Sequence, residues 1–252
     1  VAQYQQHPHL LQFDSAISFY KLTLSGGNVS SNRTQTYAVA GTAVPTVTEL
    51  FKWNGNYTQF HLSGTIEVSG NIECASYGGA VPSTVYGNPG SYANPGTSGT
   101  IKFVGTDDKT YTHTSGILPP LEIACTAGKE LNCVTNNALN ALYTAGFTMT
   151  TGDFTAPNGI MSIGTYANVT RTIFNIKAGA GTFIAGDLLG ARTGEVIIQD
   201  GDYTNSSPTK TLQFDSAISF YKLTLAGGNL SSSYAQTYAV AGTAVPTVTE
   251  LF

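Results

Sequence analysis

Charge is the scarcest ingredient of this sequence. Lysine and arginine number 11 and aspartate and glutamate 15 in 252 residues, so charged side chains make up 10%, against roughly 25% in an ordinary soluble domain. The net charge is −4. With no basic stripe, a binder that works by neutralising phosphates is excluded, so nucleic acid is not an expected partner. Long apolar runs are missing too: nothing reaches the ~18 consecutive apolar residues that a membrane-spanning helix needs. What is abundant is uncharged. Serine and threonine together number 55 and glycine 28. Hydrophobic residues at 41% and aromatics at 11% suffice to bury a sizeable core, which separates the chain from disordered sequences.

Internal self-similarity dominates the rest. The segment LQFDSAISFYKLTLSGGNVSSNRTQTYAVAGTAVPTVTELF, from Leu11 to Phe51, returns from Leu212 to Phe252 with 36 of 41 positions identical. The differences are Ser25 to Ala226, Val29 to Leu230, Asn32 to Ser233, Arg33 to Tyr234 and Thr34 to Ala235. The offset of 201 residues divides the chain into a leader or junction (1–10), one full repeat unit (11–211) and the start of the next unit (212–252). The chain reads as an excerpt of something longer. In a tandem array the residues after Phe252 are expected to resemble Lys52-Trp53-Asn54-Gly55-Asn56-Tyr57.

Glycine followed by a small polar or acidic residue and a strand former recurs, as in Gly64-Thr65-Ile66, Gly70-Asn71-Ile72, Gly99-Thr100-Ile101, Gly152-Asp153-Phe154 and Gly194-Glu195-Val196. Each reads as a turn feeding a strand. Alternating apolar positions accompany them: Phe19, Leu22 and Leu24; Ile66 and Val68; Ile72 and Cys74; Ile101 and Phe103; Leu121, Ile123 and Cys125; Phe147 and Met149; Val196 and Ile198; Leu212 and Phe214. That period is the signal of strands. Only Gly128 to Gly146 could be helical, and its asparagines weaken that reading. The chain is therefore expected to be all-β. A parallel β-helix, or β-solenoid, accounts best for irregularly spaced turns, because coil rungs can carry loops of different length. The alternative is a tandem array of β-sandwich domains with strand pairing between units. In a coil, equivalent positions on successive rungs lie about 4.8 Å apart, where like charges repel, so scarce charge has a structural cause. At roughly 20 to 25 residues per rung, a unit would hold about eight to ten rungs and rise about 40 to 50 Å.

SFYKLTLSGGN (Ser18 to Asn28), GTIEVSGNIECAS (Gly64 to Ser76), GTIKFVG (Gly99 to Gly105), FTMTTGDFTAPNGIMSIGTY (Phe147 to Tyr166) and AGTFIAGDLLGARTGEVIIQDGDY (Ala180 to Tyr203) resemble the repeat vocabulary of bacterial surface β-helix proteins, the adhesin-like and autotransporter-passenger-like chains. Ala124 to Gly146 departs from it. The resemblance implies an extracellular or cell-surface location and a structural, non-enzymatic segment of a filament that assembles end to end with its own kind. The alternatives are an adhesin module that binds cell-surface glycans and, third, a β-helix enzyme acting on polysaccharide.

Residues that could carry chemistry are few. A polysaccharide-acting site would need converging carboxylates, and the local candidates are Asp107-Asp108-Lys109, then Asp200 with Asp202. His7, His9, His61 and His113 form no ligand pattern beyond His7-Pro8-His9. No zinc spacing, phosphate loop or calcium nonapeptide occurs, so no metal or cofactor is expected. Cys125 and Cys133, eight apart, could close a disulfide in an oxidising compartment, leaving Cys74 free; the other reading makes Cys125 and Cys74 small core residues. Six Asn-x-Ser/Thr sequons, at Asn28, Asn32, Asn56, Asn168, Asn205 and Asn229, are possible glycosylation sites. Thr-x-Thr pairs at Thr46–Thr48, Thr110–Thr112 and Thr148–Thr150 would bind ice only if stacked in register, which their irregular intervals oppose. Trp53 and the tyrosines are expected to pack the core or turns more than to form a glycan-binding strip.

Overall fold

The computed structural model describes residues 9–25, 34–55, 59–76, 99–114, 117–135, 141–163, 171–185, 194–199, 209–226 and 237–250. They form 21 strands and, among the described residues, no helix. The chain climbs as a coil. The first turn holds β1 (His9–Gln12) and β2 (Ser18–Ser25), and the second β3 (Thr34–Ala40) and β4 (Thr46–Gly55). The third holds β5 (Gln59–Val68) and β6 (Asn71–Ser76), and the fourth β7 (Gly99–Phe103) and β8 (Lys109–His113). Three turns with three strands each follow: β9 (Leu121–Ala124), β10 (Glu130–Thr135) and β11 (Ala141–Thr144); β12 (Phe147–Thr151), β13 (Asp153–Thr155) and β14 (Ile160–Ile163); β15 (Arg171–Ile176), β16 (Phe183–Ile184) and β17 (Glu195–Gln199). The last two turns return to two strands, β18 (Thr209–Phe214) with β19 (Ser219–Ala226) and β20 (Thr237–Ala241) with β21 (Thr247–Glu250).

Every ladder between these strands is parallel. The first path runs β1-β3-β5-β7-β9-β12-β15-β18-β20, and the second β2-β4-β6-β8-β10-β13-β16. Thr46 and Val47 of β4 also pair with Glu67 and Val68 of β5, which joins the two paths into a 16-stranded sheet. A third path, β11-β14-β17-β19-β21, forms a five-stranded sheet. The architecture is a parallel β-helix. Sandwich domains are antiparallel, so the alternative of tandem sandwiches is overturned.

Alternation explains the core. Ile66, Ile101, Leu121, Phe147, Phe174 and Leu212 stack as one inward column on the first path, and Val68, Phe103, Ile123, Met149, Ile176 and Phe214 as the next. Phe51, Ile72, Tyr111 and Cys133 form a column on the second path. Burying each large apolar side chain favours folding by about 1.5–3 kcal/mol. Asparagine and aspartate serve the corners at which the second path begins. Asn71 Oδ1 accepts the Thr110 N–H at 3.1 Å, Asp108 Oδ1 that of Glu130 at 3.1 Å, and Asp153 Oδ1 that of Thr182 at 2.5 Å. Each therefore ties its own turn to the next.

Two expectations change. The stretch Gly128 to Gly146 supplies strands β10 and β11 instead of a helix: Leu131 and Cys133 alternate inward with the coil, and tertiary packing decides. The turns are also longer than 20 to 25 residues. Seven steps along the first path separate β1 from β18, so the 201-residue offset averages about 29 residues per turn and rises about 34 Å. Steps range from 20 residues (Ile101 to Leu121) to 39 (Arg171 to Lys210). The strands stay short while the connections vary.

The few charges stack with alternating sign. Lys52 meets Glu73 at 2.6 Å, Lys102 meets Glu67 at 3.2 Å, and Lys222 meets Glu195 at 3.4 Å. Lys102 also lies opposite Glu122.

Candidate functional site: the repeated end turns

The duplicated segment folds the same way in both places, at the first two and the last two described turns. Ala43 N–H donates to Phe13 O at 3.0 Å, and Ala244 N–H to Phe214 O at 2.9 Å. Thr46 N–H donates to Ile17 O at 3.1 Å, and Thr247 N–H to Ile218 O at 3.0 Å. The Tyr37 hydroxyl donates to Ser25 O at 3.0 Å, and Tyr238 to Ala226 O at 2.6 Å. Gln12 Nε2 reaches Asp14 and Gln213 Nε2 reaches Asp215, at 3.0 and 2.7 Å. Gly41 and Gly242 both turn the corner with positive φ, 106° and 114°. The register differs locally: β2/β4 shifts by one residue after Phe19, whereas β19/β21 stay in step at Ser219, Phe220 and Lys222.

Burial is where the copies part. In the second copy Leu212, Phe214, Ile218 and Phe220 are buried; in the first, Leu11, Phe13 and Phe19 are half-buried and Ile17 is 39% exposed. The order reverses one turn higher. Pro45 and Val47 are buried, whereas Pro246 and Val248 are half-buried. The cause lies in the neighbours. β18 and β19 rest on β15 and β17, but β1 and β2 have no strand beneath them among the described residues. β3 and β4 are covered by β5 and β6, but β20 and β21 have no strand above them among the described residues. Phe13 and Phe19 sit edge-on at 5.9 Å, as Phe214 and Phe220 do at 6.2 Å. The second pair packs onto Phe174 and Phe183 (Phe174–Phe214 5.8 Å, Phe183–Phe220 5.9 Å).

The candidates for other chemistry are not brought together. Asp108 is engaged with Glu130 N–H and lies 4.0 Å from Lys129 Nζ, and Asp107 is exposed beside it. Asp200, Asp202, His7 and the side chain of His61 lie outside the described residues, as do all six sequons, at Asn28, Asn32, Asn56, Asn168, Asn205 and Asn229. His9 stacks on Tyr37 at 5.2 Å. Among the described residues, no group of three or more His, Cys, Asp or Glu could hold a metal ion. Thr110–Thr112 on β8 follow Asn71–Glu73 of β6, and Thr148–Thr150 lie on another path, so no Thr-x-Thr ladder forms among the described residues.

Cys74, Cys125 and Cys133 are three buried free thiols, so Cys74 and Cys125 follow the core reading and no bridge joins Cys125 to Cys133. Leu131 intervenes as the first inward residue of β10, and Cys125 Sγ sits at the corner, donating to Lys129 O at 3.2 Å. Burial pushes the Cys74 thiol up from 9.0 to about 12, a Tyr111 hydrogen bond opposing it and Glu73 adding to it. Burial raises Cys133 and Tyr111 well above their usual values too. Tyr111 OH and His113 Nδ1 are 2.7 Å apart in this dry interior. Trp53 is buried, its indole N–H donating to Ile117 O at 3.2 Å. Sequence reasoning overlooked Tyr111 and His113 as a buried polar pair, although their i, i+2 spacing within a strand announced a shared face. It also overlooked Lys210, buried inward in line with Leu212 and Phe214.

Comparison with known proteins finds no family model, no curated protein and no solved structure that matches the chain.

Proposed function

We propose that this chain is a structural, non-enzymatic segment of an extracellular surface filament, in which β-helical units follow one another along a common axis. The observation that carries this reading is the duplicated segment, which recurs after seven turns of the coil and folds the same way in both places, with the same corner glycine and the same turn hydrogen bonds. A coil that repeats its own sequence and its own turns suits a body built of successive units. The parallel ladders supply axial hydrogen bonding, and the inward columns supply a dry core. Alternating charges and hydroxyl-rich outer faces tolerate close stacking. The likeness to bacterial surface β-helix repeats in Ser18 to Asn28, Gly64 to Ser76 and Phe147 to Tyr166 points the same way and is the ground for the cell-surface location.

Electron microscopy of purified protein tests this reading. Rods or fibres with axial order near the ~4.8 Å inter-strand spacing are expected. Compact isolated particles without axial order would overturn it.

A further inference from the structure

Asparagine followed by glycine is the dipeptide most prone to cyclise, because no Cβ crowds the backbone nitrogen that must reach the asparagine side chain. It occurs twice in this sequence, as Asn54-Gly55 and Asn158-Gly159. The coil puts the two in opposite settings. Asn54 and Gly55 end β4 within a ladder: Asn54 is in register with Ser25 on one side and Ala75 on the other, and Gly55 with Ser76. Asn158 and Gly159 lie outside the strands, in the bend that links β13 to β14, and Asn158 is exposed. Gly159 is tied to the turn above only through its carbonyl, which accepts the Glu195 N–H at 2.8 Å; among the described residues no backbone carbonyl takes the Gly159 N–H. The nitrogen that cyclisation needs is therefore uncommitted at Asn158, whereas at Asn54 the ladder must open first.

We propose that Asn158 is a site of spontaneous backbone modification. The Gly159 nitrogen attacks Asn158 Cγ, and the new N–C bond closes a five-membered succinimide. The side-chain amide nitrogen leaves as ammonia, and the proton lost from Gly159 balances the one it gains. Water then adds to either ring carbonyl and returns the proton to the ring nitrogen as the C–N bond breaks. One opening gives aspartate; the other gives isoaspartate, in which the main chain runs through the side-chain carbon. Overall one water is consumed and one ammonia released, with no change of oxidation state. The bend gives the change leverage. Four residues join β13 to β14 there, and the next turn rests directly on them: a Cβ added at Gly194 would lie 3.0 Å from the Pro157 oxygen. Isoaspartate lengthens that link by one backbone bond, about 1.5 Å. Either product adds a negative charge to the bend that holds Glu195, itself paired with Lys222 at 3.4 Å.

Nothing in this chemistry depends on filament formation, and it is tested on the single chain. Full-length protein is kept in warm, mildly alkaline buffer, folded in one sample and unfolded by guanidinium in another. Peptide mapping by mass spectrometry follows the exchange of NH for O at each site, and an isoaspartyl methyltransferase with a labelled methyl donor marks the isoaspartate. In the unfolded chain both sites are expected to convert at comparable rates. In the folded chain Asn158 should keep close to its unfolded rate while Asn54 falls at least about tenfold behind, since a ladder that opens a tenth of the time or less delays the reaction by that factor. Asn158→Gln, which would have to close a larger ring, should stay unmodified, and the peptide map of the unaltered chain decides the matter even if that variant misfolds. Equal folded rates at 54 and 158, or an Asn158 that converts only after unfolding, overturn the assignment.

Discussion

Cys74, Cys125 and Cys133 illustrate how a single side chain takes its chemistry from the coil. Cys74 and Cys133 face the interior, so the neutral thiol is favoured in the folded state, and Cys74 is raised to about 12. The unfolded chain loses its thiol protons first, near pH 9. The stabilisation is therefore fully present below about pH 9 and is lost as pH rises from there toward 12. Thermal unfolding followed by circular dichroism should show a midpoint that is level between pH 6 and about 8.5 and falls beyond it. Cys74→Val should make that fall shallower. A midpoint that climbs between pH 9 and 11 would contradict the burial. What was legible here follows from period alone: Cys74 and Cys125 each follow an aliphatic residue at i−2, and both are buried. The pairing of Cys125 with Cys133 stayed open because a spacing of eight says nothing about direction. Cys125 turns into the corner that the chain makes after β9, its Sγ on Lys129 O, whereas Cys133 faces inward from β10 in register with Tyr111.

At the scale of elements, corners and ladders set the coil. Gly41 has φ 106°, and a Cβ built there would run into the Phe13 carbonyl oxygen of the turn below. Gly41→Ala should therefore cost roughly 1–3 kcal/mol in urea unfolding, and Gly242→Ala, against Phe214, a similar amount. A neutral result at both would show that the corner relaxes freely. Lys102 tests the ladder, because it lies between Glu67 and Glu122 on the first path. Lys102→Glu would place three carboxylates in a column, and a loss of about 1 kcal/mol at low salt, shrinking at high salt, is expected because the pair is partly screened. Lys102→Gln should cost less. Equal losses for the two variants at both salt levels would mean that charge is immaterial there. Strand type and inward faces could be read from alternation at Ile66–Val68, Ile101–Phe103 and Phe147–Met149, all of them buried. Turn length could not. The step from Ile101 to Leu121 and that from Phe174 to Leu212 use strands of similar size and differ in the connections, which carry no periodic signal.

For the whole molecule, the decisive property is that one sequence occupies two environments. The duplication was plain from the residues, but its consequence was not, because burial depends on which strands lie above and below. Identical peptides exchange amide hydrogen at identical intrinsic rates, so any difference between the copies reports only their neighbours. In the 252-residue chain, β18 and β19 should exchange more slowly than β1 and β2, since they rest on β15 and β17. One turn higher the ranking should invert, with β3 and β4 slower than β20 and β21 because β5 and β6 cover them. Mass spectrometry can keep the copies apart through peptides that include Ser25 or Ala226, Thr34 or Ala235, or the unlike flanks before Leu11 and Leu212. Turns four to seven, with the phenylalanine cluster of Phe147, Phe154, Phe174 and Phe183, should be the most protected of all. An inversion of this kind fits turns that unravel from both ends. Uniform protection of the two copies at low protein concentration would mean that neighbours do not limit opening, and the coil would then have to unfold as a single cooperative unit.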